Sequence, residues 1–282
     1  MTRYGTIIGT GRYVPETVYS NDMLKERVGA INPDLAKVVD TFEDSSGIRA
    51  RRLAPRDWAA SDIAVRAAQA ALKKAGITPE QVDMILLGTD TPDDITPATS
   101  TVVQHKLGAV NAGTYDIGCA CASFPTGIAT ASGLLATNPW MKYVLVIGVY
   151  MMSKLADPND VVSFFYSDGA GAAVLAAADK PGFLSSAYLA DGTYHQYWGL
   201  YAGGTYEPAS VEAVQAGRTH VRLLQRYPPD INHVNWPKIA RLLAERGGFG
   251  IQDIDLLIFT QVRLPSVVVT DTDGGAGVLA HA

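Results

Sequence analysis

Apolar residues along this chain follow two patterns. At Ile63, Ala64, Ala67, Ala68, Ala71 and Leu72 they recur every three or four positions, which is the spacing of an amphipathic helix. Ser61-Asp62 supplies a start signal for that helix and Ala75-Gly76 a stop. From Val82 to Leu87 and from Tyr143 to Val149 they run almost without interruption, as in strands buried on both faces of a parallel sheet. Tyr4 to Ile8 reads as a strand, followed by Gly9-Thr10-Gly11 as a turn that brings backbone close to something. Ser20-Asn21-Asp22 caps a helix through about Val28, and residues 29 to 60 read as irregular. A helix from Ser100 to Leu107, a strand from Thr114 to Ile117, a helix of small residues from Pro125 to Leu135 and a strand over Gly169 to Leu175 complete the series. Strand and helix alternate, so the class is α/β with mostly parallel strands.

A repeat lies within this pattern. Ala71 to Leu87 runs helix, glycine, a turn holding Glu80-Gln81, Val82, Asp83, then an apolar strand. Leu242 to Phe259 has the same order, with Ile254 and Asp255 before Leu256-Leu257-Ile258-Phe259. Two related halves are expected, residues 1–178 and 179–282. After Asp83 the first copy continues to about Leu175, whereas too little chain follows Asp255 for the same set of elements. The stretch from Val267 to Ala282 is too short to replace them. Either the product is cut short or shifted in frame, or its end diverges. Unpaired strands would leave edges for a partner chain to cover.

Composition narrows the function. The net charge is −5 and no basic run stands out, which disfavours nucleic acid and anionic membrane as partners. Ser46 to Arg52 carries the best local anion patch, and a solvated turn explains it equally well. No apolar run approaches the roughly 20 residues of a membrane helix, and the N-terminus lacks a signal-peptide pattern. Two cysteines at i and i+2 are not a disulfide framework and point to a reducing, cytoplasmic setting. Gly9-Thr10-Gly11 lacks the third glycine and the helix of a dinucleotide loop.

The candidate chemistry lies in Gly118-Cys119-Ala120-Cys121-Ala122-Ser123-Phe124, where a strand turns into a helix. Unpaired N–H groups and the helix dipole at such a start favour an anion. A thiol there should ionise more readily, and the thiolate is the nucleophilic form. Small neighbours would admit a substrate. Equally, both cysteines could be small core residues.

Ile7 to Pro15, Ser46 to Arg52, the cysteine turn from Asp116 to Phe124, and Ser167-Asp168-Gly169-Ala170-Gly171-Ala172 together resemble the β-ketoacyl-acyl-carrier-protein synthase III family of the thiolase superfamily, over residues 1 to about 265. The resemblance implies a thiolase-like fold: two pseudo-twofold-related halves with mostly parallel sheets in a layered α-β-α-β-α arrangement, assembled as a homodimer or a heteromer. It implies an acyltransferase of fatty acid synthesis without a cofactor or metal, acting on acyl-carrier-protein or CoA thioesters by ping-pong condensation. Cys121 matches the family nucleophile, and its N–H would form half of an oxyanion hole. Tyr166 stands where a phenylalanine gates the acyl pocket, and Thr96 where one subunit reaches into the other's pocket. Phe124 is a further substrate-binding position.

The chain also departs from the family. Thr260 occupies the position of the catalytic histidine, and no Gly-Asn-Thr phrase supplies the catalytic asparagine. A threonine hydroxyl donates a hydrogen bond but lacks an imidazole's acid–base range. His105, His195, His220, His233 and His281 read as structural or surface residues. Thr41, Ser45 and Val161 replace the aromatic and basic residues that hold the CoA adenine, which favours acyl-carrier protein or a different thioester donor over CoA. The alternative is a degenerate or non-condensing relative, acting as a partner subunit or a simple acyltransferase.

Overall fold

A computed structural model describes residues 3–260. In chain order the elements are β1 (Tyr4–Tyr13), β2 (Thr17–Ser20), α1 (Asn21–Gly29), α2 (Pro33–Ser46), β3 (Ala50–Leu53), α3 (Ala60–Ala75), β4 (Met84–Gly88), α4 (Thr99–Leu107), β5 (Gly113–Ile117), α5 (Ser123–Thr137), β6 (Tyr143–Tyr150) and β7 (Gly169–Ala178). Then follow β8 (Trp198–Gly199), α6 (Val211–Gln215), β9 (Arg222–Leu223) and α7 (Ile231–Gly247). The chain divides into two compact units. The first holds the chain up to Tyr19, Arg51–Lys154 and Tyr166–Leu184, and the second Ser20–Ala50, Leu155–Phe165 and the chain from Ser185 onward. The repeat halves and the compact units are therefore different divisions of the sequence.

The first unit is built on a five-stranded sheet of order β1-β7-β6-β4-β5. β4 runs parallel to both β5 and β6, while β7 is antiparallel to β6 and to β1, so four of the five strands point the same way. The unbroken apolar runs have a direct cause. Ile85, Leu87, Leu145, Ile147 and Val174 face a core shared with α3 and α4. Leu86, Val144, Val146 and Leu175 face the opposite core, under α5. Successive residues of a strand point to opposite faces, so a strand covered on both must be apolar throughout. Each such fully buried side chain contributes about 1.5–3 kcal/mol.

Gly9 and Gly11 lie inside β1 rather than in a turn. A Cβ on Gly9 would sit 2.6 Å from the Ala71 carbonyl oxygen, and one on Gly11 2.3 Å from the Ala71 nitrogen. The expected close approach is real, and its object is the backbone of α3. The run Ala64, Ala67, Ala68, Ala71 is buried on that helix because only small residues fit so near a strand. The start of α3 lies two residues before the expected Ser61: Ala59 is the N-cap, and Asp62 accepts from its N–H at 2.8 Å.

Residues 29–60, which begin in the second unit and pass into the first at Arg51, are not irregular. Asn32 caps α2 by accepting from Asp34 N at 3.0 Å, Pro33 opens the helix and left-handed Gly47 closes it. Val39 is buried, and Phe42 meets the rings of Phe164 and Phe165 at 5.4 and 4.9 Å. Leu35, Val38, Val39 and Phe42 stand at helical spacing, so this helix is legible in the sequence and the expectation of an irregular segment overlooked it. α1 follows the sequence, with Ser20 Oγ accepting from Met23 N.

The repeat is visible in backbone detail. α3 ends on left-handed Gly76 and α7 on left-handed Gly248. A single 3-10 turn follows each, Pro79–Gln81 and Ile251–Asp253. Gln81 accepts from Thr78 N at 2.9 Å, and Asp253 from Gly250 N at 2.8 Å. The copies then part. β4 enters the sheet, whereas Leu256 to Phe259 forms no ladder, against expectation. Leu256 is 50% and Ile258 82% exposed, and Phe259 instead stacks on Trp236 at 4.7 Å. A strand needs a neighbour, and among the described residues none flanks this one. The expectations on Val267 to Ala282 and on His281 lie outside the described residues.

Gly11→Ala should lower stability by about 1–3 kcal/mol through overpacking, whereas Gly133→Ala on α5, with open space around it, should be neutral or stabilise by up to about 1 kcal/mol. Denaturant midpoints of the two variants check the contrast, and equal effects would contradict the packing described.

Candidate active site at the cysteine turn

The site lies at the carboxyl ends of β5, β4 and β6, the usual place for ligands in a parallel sheet. Gly88 pairs with Ile117 on one side and Gly148 on the other. Two residues beyond each of these lie Asp90, Cys119 and Tyr150. Three adjacent parallel strands thus deliver a carboxylate, the cysteine turn and a phenol to one edge.

Gly88 and Gly148 also let α5 begin directly on the sheet. A Cβ on Gly88 would lie 2.6 Å from Ser123 Cβ, and one on Gly148 3.3 Å from the Phe124 ring. Ser123, buried under this contact, accepts from Cys119 N through its Oγ at 3.0 Å. Cys121 sits in the single 3-10 turn Ala120–Ala122 that precedes α5. Both cysteines are free and exposed, so they are not core residues. Cys119 Sγ lies 3.6 Å from Thr126 Oγ1. Between them, Ala120 is the one non-glycine residue with positive φ among the described residues, at 51°. A left-handed alanine costs about 1–2 kcal/mol. Asp90 Oδ1 accepts from its N–H at 3.2 Å.

The loop carrying Asp90 is tied on both sides. Thr89 Oγ1 accepts from Thr91 N at 2.9 Å, and the two hydroxyls lie 3.2 Å apart. Buried Thr91 accepts from Met151 N at 2.9 Å, next to Tyr150. Farther on, Asp116 caps α4 by accepting from Thr99 N and Ser100 N, each at 2.8 Å. Burial pushes the Asp90 carboxyl above its ordinary range, and the Ala120 N–H opposes this. Burial, then Tyr166, Asp90, Cys121 and Asp168, hold Tyr150 in its neutral form far above the usual range of a phenol. Asp168 is anchored in turn by Ala54 N at 2.8 Å and Ser153 Oγ at 2.6 Å.

The residues expected at the site are distributed as follows. Cys121 and buried Tyr166 share this edge, beside Tyr150. Phe124 is half-buried, its ring against Gly148, so most of its surface is spent on packing. Thr96 is exposed in the loop between β4 and α4, before a cis Pro97. Thr260 ends the described part of the second unit, outside any ladder. The anion patch is largely used internally: Arg51 is buried, and Arg52 donates to Glu16 O at 2.9 Å. Thr41 and Ser45 donate to carbonyls of their own helix, Lys37 O and Phe42 O. Asp90, Thr91 and Tyr150 were not singled out from sequence. The available signal was position: polar residues directly after apolar strands end at the carboxyl edge of a parallel sheet. Among the described residues no group of three or more His, Cys, Asp or Glu side chains could hold a metal, and no helix is long and apolar enough to cross a membrane.

Strand order, helices on both faces and a cysteine turn at the carboxyl edge define a thiolase-like α/β protein. The priming β-ketosynthase of the R1128 polyketide pathway superposes with a TM-score of 0.83 at 26% identity, covering 99% of this chain and 81% of that one. The 3-oxoacyl-acyl-carrier-protein synthase III of Pseudomonas aeruginosa gives 0.81 at 27%, covering 99% and 83%. Residues 115–192 match the family model of 3-oxoacyl-acyl-carrier-protein synthase III. The β-ketoacyl-acyl-carrier-protein synthase III of Symbiobacterium thermophilum is 36% identical over 92% of this chain and 76% of its own length. That of Caldanaerobacter subterraneus is 38% identical over 89% and 74%. The chain belongs to the β-ketoacyl-acyl-carrier-protein synthase III family.

Thr91→Val should leave the Met151 N–H buried without its partner, at a cost of about 1–3 kcal/mol. It should also slow alkylation of Cys121 by loosening the Asp90 loop. A denaturation midpoint and a mass-spectrometric alkylation rate test both, and an unchanged midpoint would rule out the assigned bond.

Proposed function

We propose that the chain is an acyl-thioester transferase and condensing enzyme that carries the acyl group on Cys121. The observation that carries this reading is an exposed cysteine at the start of α5, at the carboxyl edge of three parallel strands, in a member of this family. The Cys121 thiolate attacks the thioester carbonyl, and the donor leaves as its thiol. A malonyl thioester then loses carbon dioxide, its carbon attacks the acyl-cysteine carbonyl, and the Cys121 thiolate is released. Backbone N–H groups at the turn stabilise the oxyanion of each step. Tyr166 borders the acyl pocket, with Phe124 beneath the turn and Thr96 contributed towards a second copy. Thr260 donates a hydrogen bond where an imidazole would otherwise act. Acyl-carrier protein serves as donor in preference to CoA, because Thr41 and Ser45 offer no adenine platform. The protein works in the cytoplasm as a homodimer, with β5, one of the two edges of the sheet among the described residues, available for pairing.

A second reading has its own support. Thr260 in place of the histidine, and the Leu256 to Phe259 run that pairs with no strand among the described residues, favour a chain that loads an acyl group without condensing it or that works with a partner subunit.

Incubation with acyl-CoA and acyl-carrier-protein thioesters, read by intact-protein mass spectrometry, should give an adduct that Cys121→Ala abolishes and Cys119→Ala retains. Acyl loading that persists in Cys121→Ala would refute the nucleophile. An adduct without carbon dioxide release from a malonyl thioester would select the second reading.

A further inference from the structure

Ala120 adopts a conformation that only glycine takes without strain, directly before the cysteine assigned to the chemistry. Nothing about an alanine side chain explains this, since a methyl group makes no hydrogen bond. The compensation must come from the backbone, and Ala120 N–H donates to Asp90 Oδ1 at 3.2 Å. Asp90 is well placed to dictate that geometry rather than follow it. It follows a strand buried from Ile85 to Gly88, Thr89 and Thr91 fix its loop by hydroxyl bonds, and Thr91 is itself bound to Met151 N just past the end of β6. The other side of the turn is fixed independently, by Ser123 Oγ accepting from Cys119 N. Two acceptors, Asp90 and Ser123, therefore grip consecutive N–H groups and leave the next residue, Cys121, to project outward.

We propose that Asp90 is a positioning residue: its carboxylate oxygen holds the Ala120 N–H and so maintains the left-handed turn that presents the Cys121 thiol. This deepens the assignment of Cys121 as the acyl carrier and rests on it. Tyr150 on β6 lies close enough to feel the Asp90 charge, and Tyr166, Asp168 and Cys121 also act on that phenol. A role through charge rather than through the acceptor would therefore show as a changed pH profile. Asparagine separates the two roles, because its side-chain oxygen accepts the same bond without ionising.

The test is alkylation by iodoacetamide, with the rate at each cysteine followed by peptide mass spectrometry across pH. This reads the thiol directly, so it stands whether or not the chain condenses thioesters, and Cys119 in the same peptide is the internal reference. Asp90→Ala should slow Cys121 about tenfold, in keeping with the sensitivity of reaction rates to small misplacements, and leave Cys119 unchanged. Asp90→Asn should react at close to the original rate with the original pH profile. Ala120→Gly in the Asp90→Ala background should also recover, since glycine adopts the turn unaided. An unchanged rate in Asp90→Ala, equal slowing at both cysteines, an Asp90→Asn as slow as Asp90→Ala, or a double variant that fails to recover would each overturn the proposal.

Discussion

The site depends on how closely the first turn of α5 lies against the sheet. Gly88 and Gly148 face each other on adjacent parallel strands; Gly88 has no room for a Cβ beneath Ser123, and a Cβ on Gly148 would press on the Phe124 ring. Only that approach places the cysteine turn at the level of the strand ends. Once the helix start is fixed, Ser123 can reach Cys119 N and Asp90 can reach Ala120 N. Packing of a helix on a sheet thus sets the position of a thiol. Interiors packed at crystal density transmit such constraints without slack.

Polar residues at this edge illustrate how a buried network is kept. Asp116 and Asp168 each accept two or more hydrogen bonds and Thr91 accepts one from Met151 N, and their donors are largely loop and helix-start N–H groups without a ladder partner. The network supplies the bonds that the ends of strands and helices lack. It also surrounds Tyr150 and Asp90 with low-dielectric protein, which favours their neutral forms. Perturbed groups gathered beside a reactive side chain are the usual mark of a working site.

The two copies of the internal repeat show what local sequence can and cannot impose. Helix, left-handed glycine, 3-10 turn and side-chain cap are made from neighbours in sequence, and both copies form them alike. The strand that follows is not local. Ile85 and Leu87 are buried because β5 and β6 flank β4 and helices cover both of its faces, whereas Leu256 and Ile258 remain exposed in the second copy. The same pattern of apolar residues has two fates, decided by what lies beside it.

Sequence by itself determined the α/β class, the buried strands, the helix of small residues after the cysteines and the family resemblance, because each is written in periodicity or in a contiguous motif. It also located Cys121. It also carried the signals of α2, an Asn32-Pro33 start, Leu35, Val38, Val39 and Phe42 at helical spacing and a Gly47 stop, which the expectation of an irregular segment passed over, and it placed Gly9 and Gly11 in a turn because glycine signals a close approach without naming its partner. Only the tertiary structure decided that α3 is that partner and that Asp90 and Tyr150 join the cysteine turn. It alone showed that Arg51 and Arg52 are spent on backbone carbonyls. Register across parallel strands joins residues roughly 30 positions apart or more, and no local pattern in a chain records which strand will lie beside which.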